Sequence, residues 1–220
     1  KDPGPAEVEQ AGFVNASLET GIANPLDQAI VAAGADRNLT LGDARKIDEI
    51  PYDFVRRRLT IVVAGPDADT DRMITKGAFA DVLAVCTSVR SGGRDRPLDD
   101  AARGALEELV RAKGAAGFRA LAVAERRLAA QPKYRRVDEA EMTFLGLLLF
   151  FDPPKAGVSG TIGDLRRLGI AVKIVTGDNR YVAAHVAHEV GLDAKRVLTG
   201  ADLAGLSAEA LRRRAPHTVI

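Results

Sequence analysis

The residues best suited to chemistry lie between positions 50 and 78, in the stretch IPYDFVRRRLTIVVAGPDADTDRMITKGA. An aromatic ring, Tyr52, precedes three consecutive cations, Arg56, Arg57 and Arg58. The stretch closes on Lys76, Gly77 and Ala78, where missing side chains would let a ligand approach the backbone. A flat ring beside fixed cations is what an adenine carrying phosphates requires. Stacking on an aromatic contributes about 1–3 kcal/mol per base, and a charge-assisted hydrogen bond to phosphate about 1.5–3 kcal/mol. The plain alternative is that arginines at a strand entrance form a solvated edge that discourages sheet-to-sheet pairing. Two acids form a second candidate set: Asp152, and Asp178 in Thr176-Gly177-Asp178, each follow an apolar run. Carboxylates on loops at strand ends suit a metal-assisted phosphoryl site, and each serves equally well as a helix cap or turn residue.

Leu59, Ile61 and Val63 alternate, Gly65-Pro66-Asp67 turns the chain, and a short return strand covers residues 73–75, a β-hairpin. Upstream, Asn24 caps and Pro25 opens a helix over residues 26–33 that carries Asp27 in its first turn. Asp27 there complements the helix dipole or accepts a hydrogen bond from a base amino group. Downstream, residues 81–86 read as a short helix and SVRSGGR as a loop. Asp99 or Asp100 then caps an amphipathic helix with Ala102, Leu106, Leu109 and Val110 on one face and Gly114 at its end. A strand over residues 117–124 carries Arg119, and a strand over 142–151 follows a polar stretch with Pro132. These strands and helices make an α+β domain, an antiparallel sheet flanked by helices, over residues 1–149.

From Asp152 the pattern changes to a helix over residues 158–168, a β-branched strand over 170–175, the Thr176-Gly177-Asp178-Asn179 loop and a helix over 181–190. Helix, buried strand, polar loop, helix is the parallel α/β arrangement, assigned to residues 150–220.

Composition excludes several classes. Lys+Arg 31 against Asp+Glu 30 leaves a net charge of +1, so no global field draws nucleic acid or anionic membrane. The single cysteine, Cys86, lies among Val82, Leu83 and Val85 and reads as a small core residue. His185 and His188 have only Glu189 as a nearby carboxylate, so no metal site is expected there. The longest apolar run, residues 144–151, is far shorter than the roughly 20 residues of a membrane helix. A soluble piece excised from a longer chain is the expectation, since no signal peptide and no initiator methionine open the sequence.

Taken in order, Asn24-Pro25-Leu26-Asp27, Pro51-Tyr52-Asp53-Phe54-Val55-Arg56-Arg57-Arg58, Lys76-Gly77-Ala78, Gly117-Phe118-Arg119-Ala120-Leu121, Asp152-Pro153-Pro154-Lys155 and Thr176-Gly177-Asp178 resemble the cytoplasmic catalytic part of P-type ATPases. IDEIPYDFVRRR and VAAHVAHEVGLDA are most similar to the bacterial magnesium-importing branch. The resemblance implies a nucleotide-binding domain followed by part of a phosphorylation domain of the haloacid dehalogenase-like fold. It implies that Tyr52 stacks on adenine, with Asp27 near the base, and that Arg57 lies near the nucleotide. Lys76, Gly77 and Leu121 would line the pocket and Arg119 would reach the phosphates. Asp152, Thr176, Gly177 and Asp178 would help to hold the transferred phosphoryl group and its Mg²⁺. ATP, with Mg²⁺ in the full-length protein, and the remaining transmembrane and actuator domains are the implied partners, at the cytoplasmic side of the inner membrane.

The family's DKTGT nucleophile segment and its GDGxND cluster are absent from this sequence. Nucleotide binding without turnover is therefore expected of the chain by itself. Unpaired strand edges in the second part would also favour pairing of two such chains. The competing readings are a haloacid dehalogenase-type phosphatase, which the missing nucleophile disfavours, and an interaction module whose Arg56–Arg58 face docks an acidic partner.

Overall fold

A seven-stranded sheet organises the first of the two units into which the chain divides, Lys1–Arg103 with Ala120–Leu149; the second unit is Gly104–Arg119 with Phe150–Ile220. The computed structural model describes residues 5–21, 24–193 and 197–219, so Ala194, which closes the second branch-specific phrase, lies outside the described residues. The strands are β1 (Lys46–Ile50), β2 (Arg58–Ala64), β3 (Thr70–Ala78), β4 (Cys86–Ser91), β5 (Arg94–Pro97), β6 (Phe118–Ala129) and β7 (Met142–Phe151), in spatial order β1-β2-β3-β6-β7-β4-β5. The first two residues of β6 and the last two of β7 fall, by chain position, in the second unit.

The alternation in β2 does what its period requires. Leu59, Ile61 and Val63 join Ile74, Val123 and Leu145 on one face of the sheet. Helix α1 (Pro5–Leu18) lays Val8, Ala11 and Val14 against them, a stripe at helical spacing. The hairpin is tight because Gly65 leaves room: a β-carbon there would sit 2.5 Å from the Thr70 carbonyl oxygen. Its register runs from Arg58 opposite Gly77 to Ala64 opposite Asp71. Helix α2 (Pro25–Asp36) begins as the sequence indicates, with the Asn24 side chain accepting from the Leu26 N–H at 2.9 Å and Pro25 in the first turn. It runs to Asp36 and packs closely on α1, where a β-carbon at Gly34 would strike the Phe13 ring.

Several expectations change. The helix expected over residues 81–86 is α3 (Phe79–Leu83), and Cys86 instead opens β4. SVRSGGR is not a loop but part of a β4–β5 hairpin turned by Gly92 and Gly93 at φ 61° and 75°. The sheet is mixed, because β4 runs parallel to β7. Cys86 is core, 2% exposed, with its thiol pushed up to about 12 by burial. Helix α4 (Asp100–Ala115) has Asp99 as its cap, accepting from the Ala102 N–H at 2.8 Å. Leu109 does not share the covered face with Ala102, Leu106 and Val110 but stands exposed. β6 continues past its expected end to Ala129 because Glu125, Arg126 and Arg127 also find ladder partners, on β3.

In the second unit, α5 (Val158–Arg167) and α6 (Arg180–Glu189) form as expected; Asn179 caps α6 by accepting from the Tyr181 and Val182 N–H groups. Short helices α7 (Gly200–Ala204) and α8 (Ala208–Arg214) follow. The strand expected over residues 170–175 does not form: Ile170 is 50% and Val175 98% exposed, and the Ile174 N–H meets only the Val219 carbonyl, at 2.8 Å. An apolar run makes a buried parallel strand only where neighbouring strands supply the ladder. Among the described residues no helix is long and apolar enough to cross a membrane.

Candidate functional site

The sheet brings most of the first candidate set to one end. Ile50, the last residue of β1, pairs with Thr60; at the start of β2, Arg58 and Leu59 pair with Gly77 and Lys76; and Ala78 at the end of β3 pairs with Leu121 on β6. Tyr52, Arg57, Lys76, Gly77 and Leu121 therefore belong to the same end of adjacent strands.

Lys76 is 5% exposed and lies on the strand face that carries Ile74. Its ammonium is held by Asp27, itself 8% exposed, and lies 3.4 Å from Glu19 Oε2. Asp27 is thus neither a free dipole complement nor an open acceptor: its carboxylate is the partner of Lys76. Two carboxyls share one ammonium. Burial, and then the hydrogen bond with Asp27, push the Glu19 carboxyl up to about 7 from an ordinary 4.5, against the pull of Lys76. Beside them Glu19, Asn24, Asp27 and Gln28 line a hollow of about 390 Å³ between the end of α1 and the outer turns of α2.

The Tyr52 loop is built differently. Asp53 turns it, its Oδ1 accepting from the Val55 and Arg56 N–H groups at 2.9 and 2.7 Å. These bonds, the Arg56 backbone N–H foremost, bring the Asp53 carboxyl down to about 2. The turn sets the Tyr52 and Phe54 rings edge to face, 5.6 Å apart. Phe54 is 90% exposed and Tyr52 49%, so Phe54 offers the freer ring.

The arginine run is not a solvated edge. Arg56 donates to Glu139 Oε1 at 2.6 Å, to Asp53 Oδ2 at 2.6 Å and to the Pro51 carbonyl at 2.6 Å. Arg58 donates to Glu139 Oε2 at 3.0 Å and to the Asp81 carbonyl at 3.1 Å. Only Arg57 turns outward, its side chain 54% exposed and 2.8 Å from Asp81 Oδ2. A basic face for an acidic partner would need exposed cations, and the run offers one, Arg57, which already faces Asp81. Gly77 is also explained from within: a β-carbon there would lie 2.5 Å from the Arg57 carbonyl oxygen and the Arg58 β-carbon, so the chain's own backbone occupies the space expected for a ligand.

The second candidate set lies in the second unit. Arg119 forks onto Asp178, Nε to Oδ1 at 2.7 Å and Nη2 to Oδ2 at 2.8 Å. Thr176 Oγ1 donates to Asp178 Oδ2 at 3.1 Å and accepts from its N–H at 3.0 Å, closing the loop around Gly177. Asp152 is exposed and adds its field to the Asp178 bonds that push Arg119 up.

Three residues of these sites escaped the sequence reading. Phe54 had a signal, being the second aromatic of the same loop. Glu19 and Glu139 had none, since each meets its partner across a long sequence separation, 57 residues for Glu19 to Lys76 and 83 for Glu139 to Arg56.

Residues 8–157 match the family described as P-type ATPase, cytoplasmic domain N, and the chain belongs to it. It is 41% identical over 217 residues to the magnesium-transporting ATPase, P-type 1, of Salmonella typhimurium, covering 97% of this chain and 24% of that protein. The protein of the same name from Escherichia coli K12 is 38% identical over 217 residues, with the same coverage of 97% and 24%. The calcium-transporting ATPase type 2C member 2 of Rattus norvegicus is 31% identical over 196 residues, 86% of this chain and 20% of that protein. The chain thus spans about a quarter of the length of the magnesium-transporting relatives.

Proposed function

We propose that the chain binds ATP as the nucleotide-binding part of a P-type ATPase that couples ATP hydrolysis to cation transport, with Mg²⁺ the favoured cation. Residues 1–149 form the nucleotide-binding domain and 150–220 part of a phosphorylation domain. The observation that carries this reading is the exposed Tyr52–Phe54 pair at the same end of the sheet as the buried Lys76, in a chain that matches the family over 150 residues, 8 to 157. The rings stack on adenine; Asp27 orients Lys76, whose remaining N–H is available to the nucleotide. Arg57 is the outward cation, and Gly77 and Leu121 set the edge of the site. Arg119 serves the phosphates, exchanging Asp178 for a phosphate oxygen. Asp152, Thr176, Gly177 and Asp178 support the phosphoryl site of the whole pump, whose other domains are the chain's partners at the cytoplasmic face of a membrane.

The described residues contain no cluster of three or more His, Cys, Asp or Glu side chains able to hold a metal. Mg²⁺ would reach this chain as an ion carried by the nucleotide's phosphates, its usual manner of binding. The chain by itself, without a DKTGT nucleophile, turns nothing over.

One stacked base with one or two charge-assisted bonds, set against the cost of association, gives a dissociation constant of about 0.1–1 mM. Calorimetric titration with ATP, with and without Mg²⁺, tests the reading: comparable weak binding in both is expected, lost in Lys76→Met and weakened in Tyr52→Ala and Phe54→Ala. A flat titration at millimolar ATP overturns it.

A further inference from the structure

Arg57 has a left-handed backbone, φ 48°, which a residue with a long side chain rarely adopts. The residues on either side explain how it is held. Arg56 and Arg58 both direct their guanidinium groups inward to one carboxylate, that of Glu139, whose side chain is completely covered. Glu139 sits in the β6–β7 connection, just after the 3₁₀ turn Arg136–Asp138. Besides the two arginines it accepts from Thr60 Oγ1 at 2.6 Å, and Thr60 in turn shares a hydrogen bond of 2.6 Å with Thr75. Two neighbours turned to one side leave the residue between them turned to the other. The Arg57 backbone is fixed at both ends, its N–H to the Asp53 carbonyl at 2.8 Å and its carbonyl to the Ala78 N–H at 2.9 Å.

The same carboxylate reaches the aromatic loop through Arg56. That guanidinium spans Glu139 on one side and Asp53 and the Pro51 carbonyl on the other. Its donors are spent on the protein, so Arg56 is a strut and has little left for a ligand. Cutting the strut at Glu139 would free Arg56, and with it the turn that presents Tyr52 and Phe54.

We propose that Glu139 is a positioning residue of the nucleotide site: from inside the sheet it anchors Arg56 and Arg58, and so sets both the Tyr52–Phe54 ring pair and the outward turn of Arg57. This rests on the nucleotide reading above. Glu139 touches no ligand; it acts through the two arginines.

The test is an NMR titration of the 220-residue chain with ATP, following the Tyr52 and Phe54 ring signals, in wild type, Glu139→Gln, Glu139→Asp and Val14→Ala. Glu139→Gln keeps the shape and removes the charge, so the fold survives where Glu139→Ala would threaten it. Val14→Ala lowers stability from the α1 side of the core and controls for general loosening. The expected result is an affinity about tenfold weaker in Glu139→Gln, with ring signals broadened or doubled before ATP is added. Glu139→Asp falls between Glu139→Gln and wild type, and Val14→Ala keeps both affinity and sharp rings. The proposal is overturned if Glu139→Gln binds ATP within about twofold of wild type, or if Val14→Ala loses affinity equally. Absence of binding by the unmodified chain is a different failure: it overturns the nucleotide reading itself, and the proposal with it.

Discussion

Two buried charge clusters in the first unit are opposites. Around Lys76 a single ammonium serves two carboxyls, Asp27 and Glu19; around Glu139 a single carboxylate serves two guanidinium groups, Arg56 and Arg58. The excess decides how each behaves. Where acid is in excess, one carboxyl can take a proton, and Glu19 does so at about 7. Around Glu139, where Asp53 also takes an N–H of Arg56 and acid is not in excess, no such release exists, because guanidinium keeps its charge throughout the working pH range. The lysine cluster is therefore adjustable and suits a cation that must exchange partners with a ligand. The arginine cluster is fixed and suits a support.

Breaking the fixed cluster should cost most. Glu139→Ala leaves the largely enclosed Arg58 without its carboxylate and Arg56 with Asp53 alone, and a loss of about 3–5 kcal/mol in denaturant unfolding is expected. Lys76→Met should cost less, about 2–3 kcal/mol at neutral pH. Its cost should also grow as pH rises from about 4.5 towards 7 and beyond, because the abandoned Glu19 carboxyl takes a proton only on the acid side. A pH-independent cost for Lys76→Met would contradict the contrast.

Glu19 sharpens the comparison further. A carboxyl with a pKa of about 7 in the fold, against 4.5 ordinarily, makes the native state the better proton binder across that interval. The Glu19 contribution to stability is thus complete below about 4.5 and is lost as pH rises to about 7. Glu19→Gln should remove that slope in a series of melts across the interval. Asp53 gives the smallest effect and the opposite sign. Its carboxyl is depressed from 3.8 to about 2, so its contribution is present above about 4 and lost as pH falls to about 2. Asp53→Asn should lower stability modestly at neutral pH and flatten that acid limb, so that variant and wild type converge near pH 2.

The sequence revealed elements that are local and concealed contacts that are not. The β2–β3 hairpin, the Asn24-Pro25 helix start and the Asn179 cap are each decided within a few residues, and all three form. Helix α1 passed unread because its stripe of Val8, Ala11 and Val14 is interrupted by polar residues and gains meaning only against the sheet. Residues 170–175 misled for the converse reason: their β-branched run satisfies the local rule for a buried strand, but the described residues provide no ladder beside it. In the candidate site, Lys76 and Asp27 were legible as residue types, while their union across 49 residues was not. Arg56 to Arg58 read as one charged run, yet alternate residues of a strand entrance point opposite ways, and a distant acid decides which way is inward.

The proposed nucleotide site stands or falls at the Tyr52–Phe54 end of the sheet. The most direct measurement is the ATP titration of the intact chain by NMR, comparing wild type with Phe54→Ala. Shifts at Tyr52, Phe54, Arg57 and Lys76 that saturate at about 0.1–1 mM are expected, clearly reduced in the variant at the same ATP concentration. Shifts that bypass this loop, or that persist undiminished in Phe54→Ala, would contradict it.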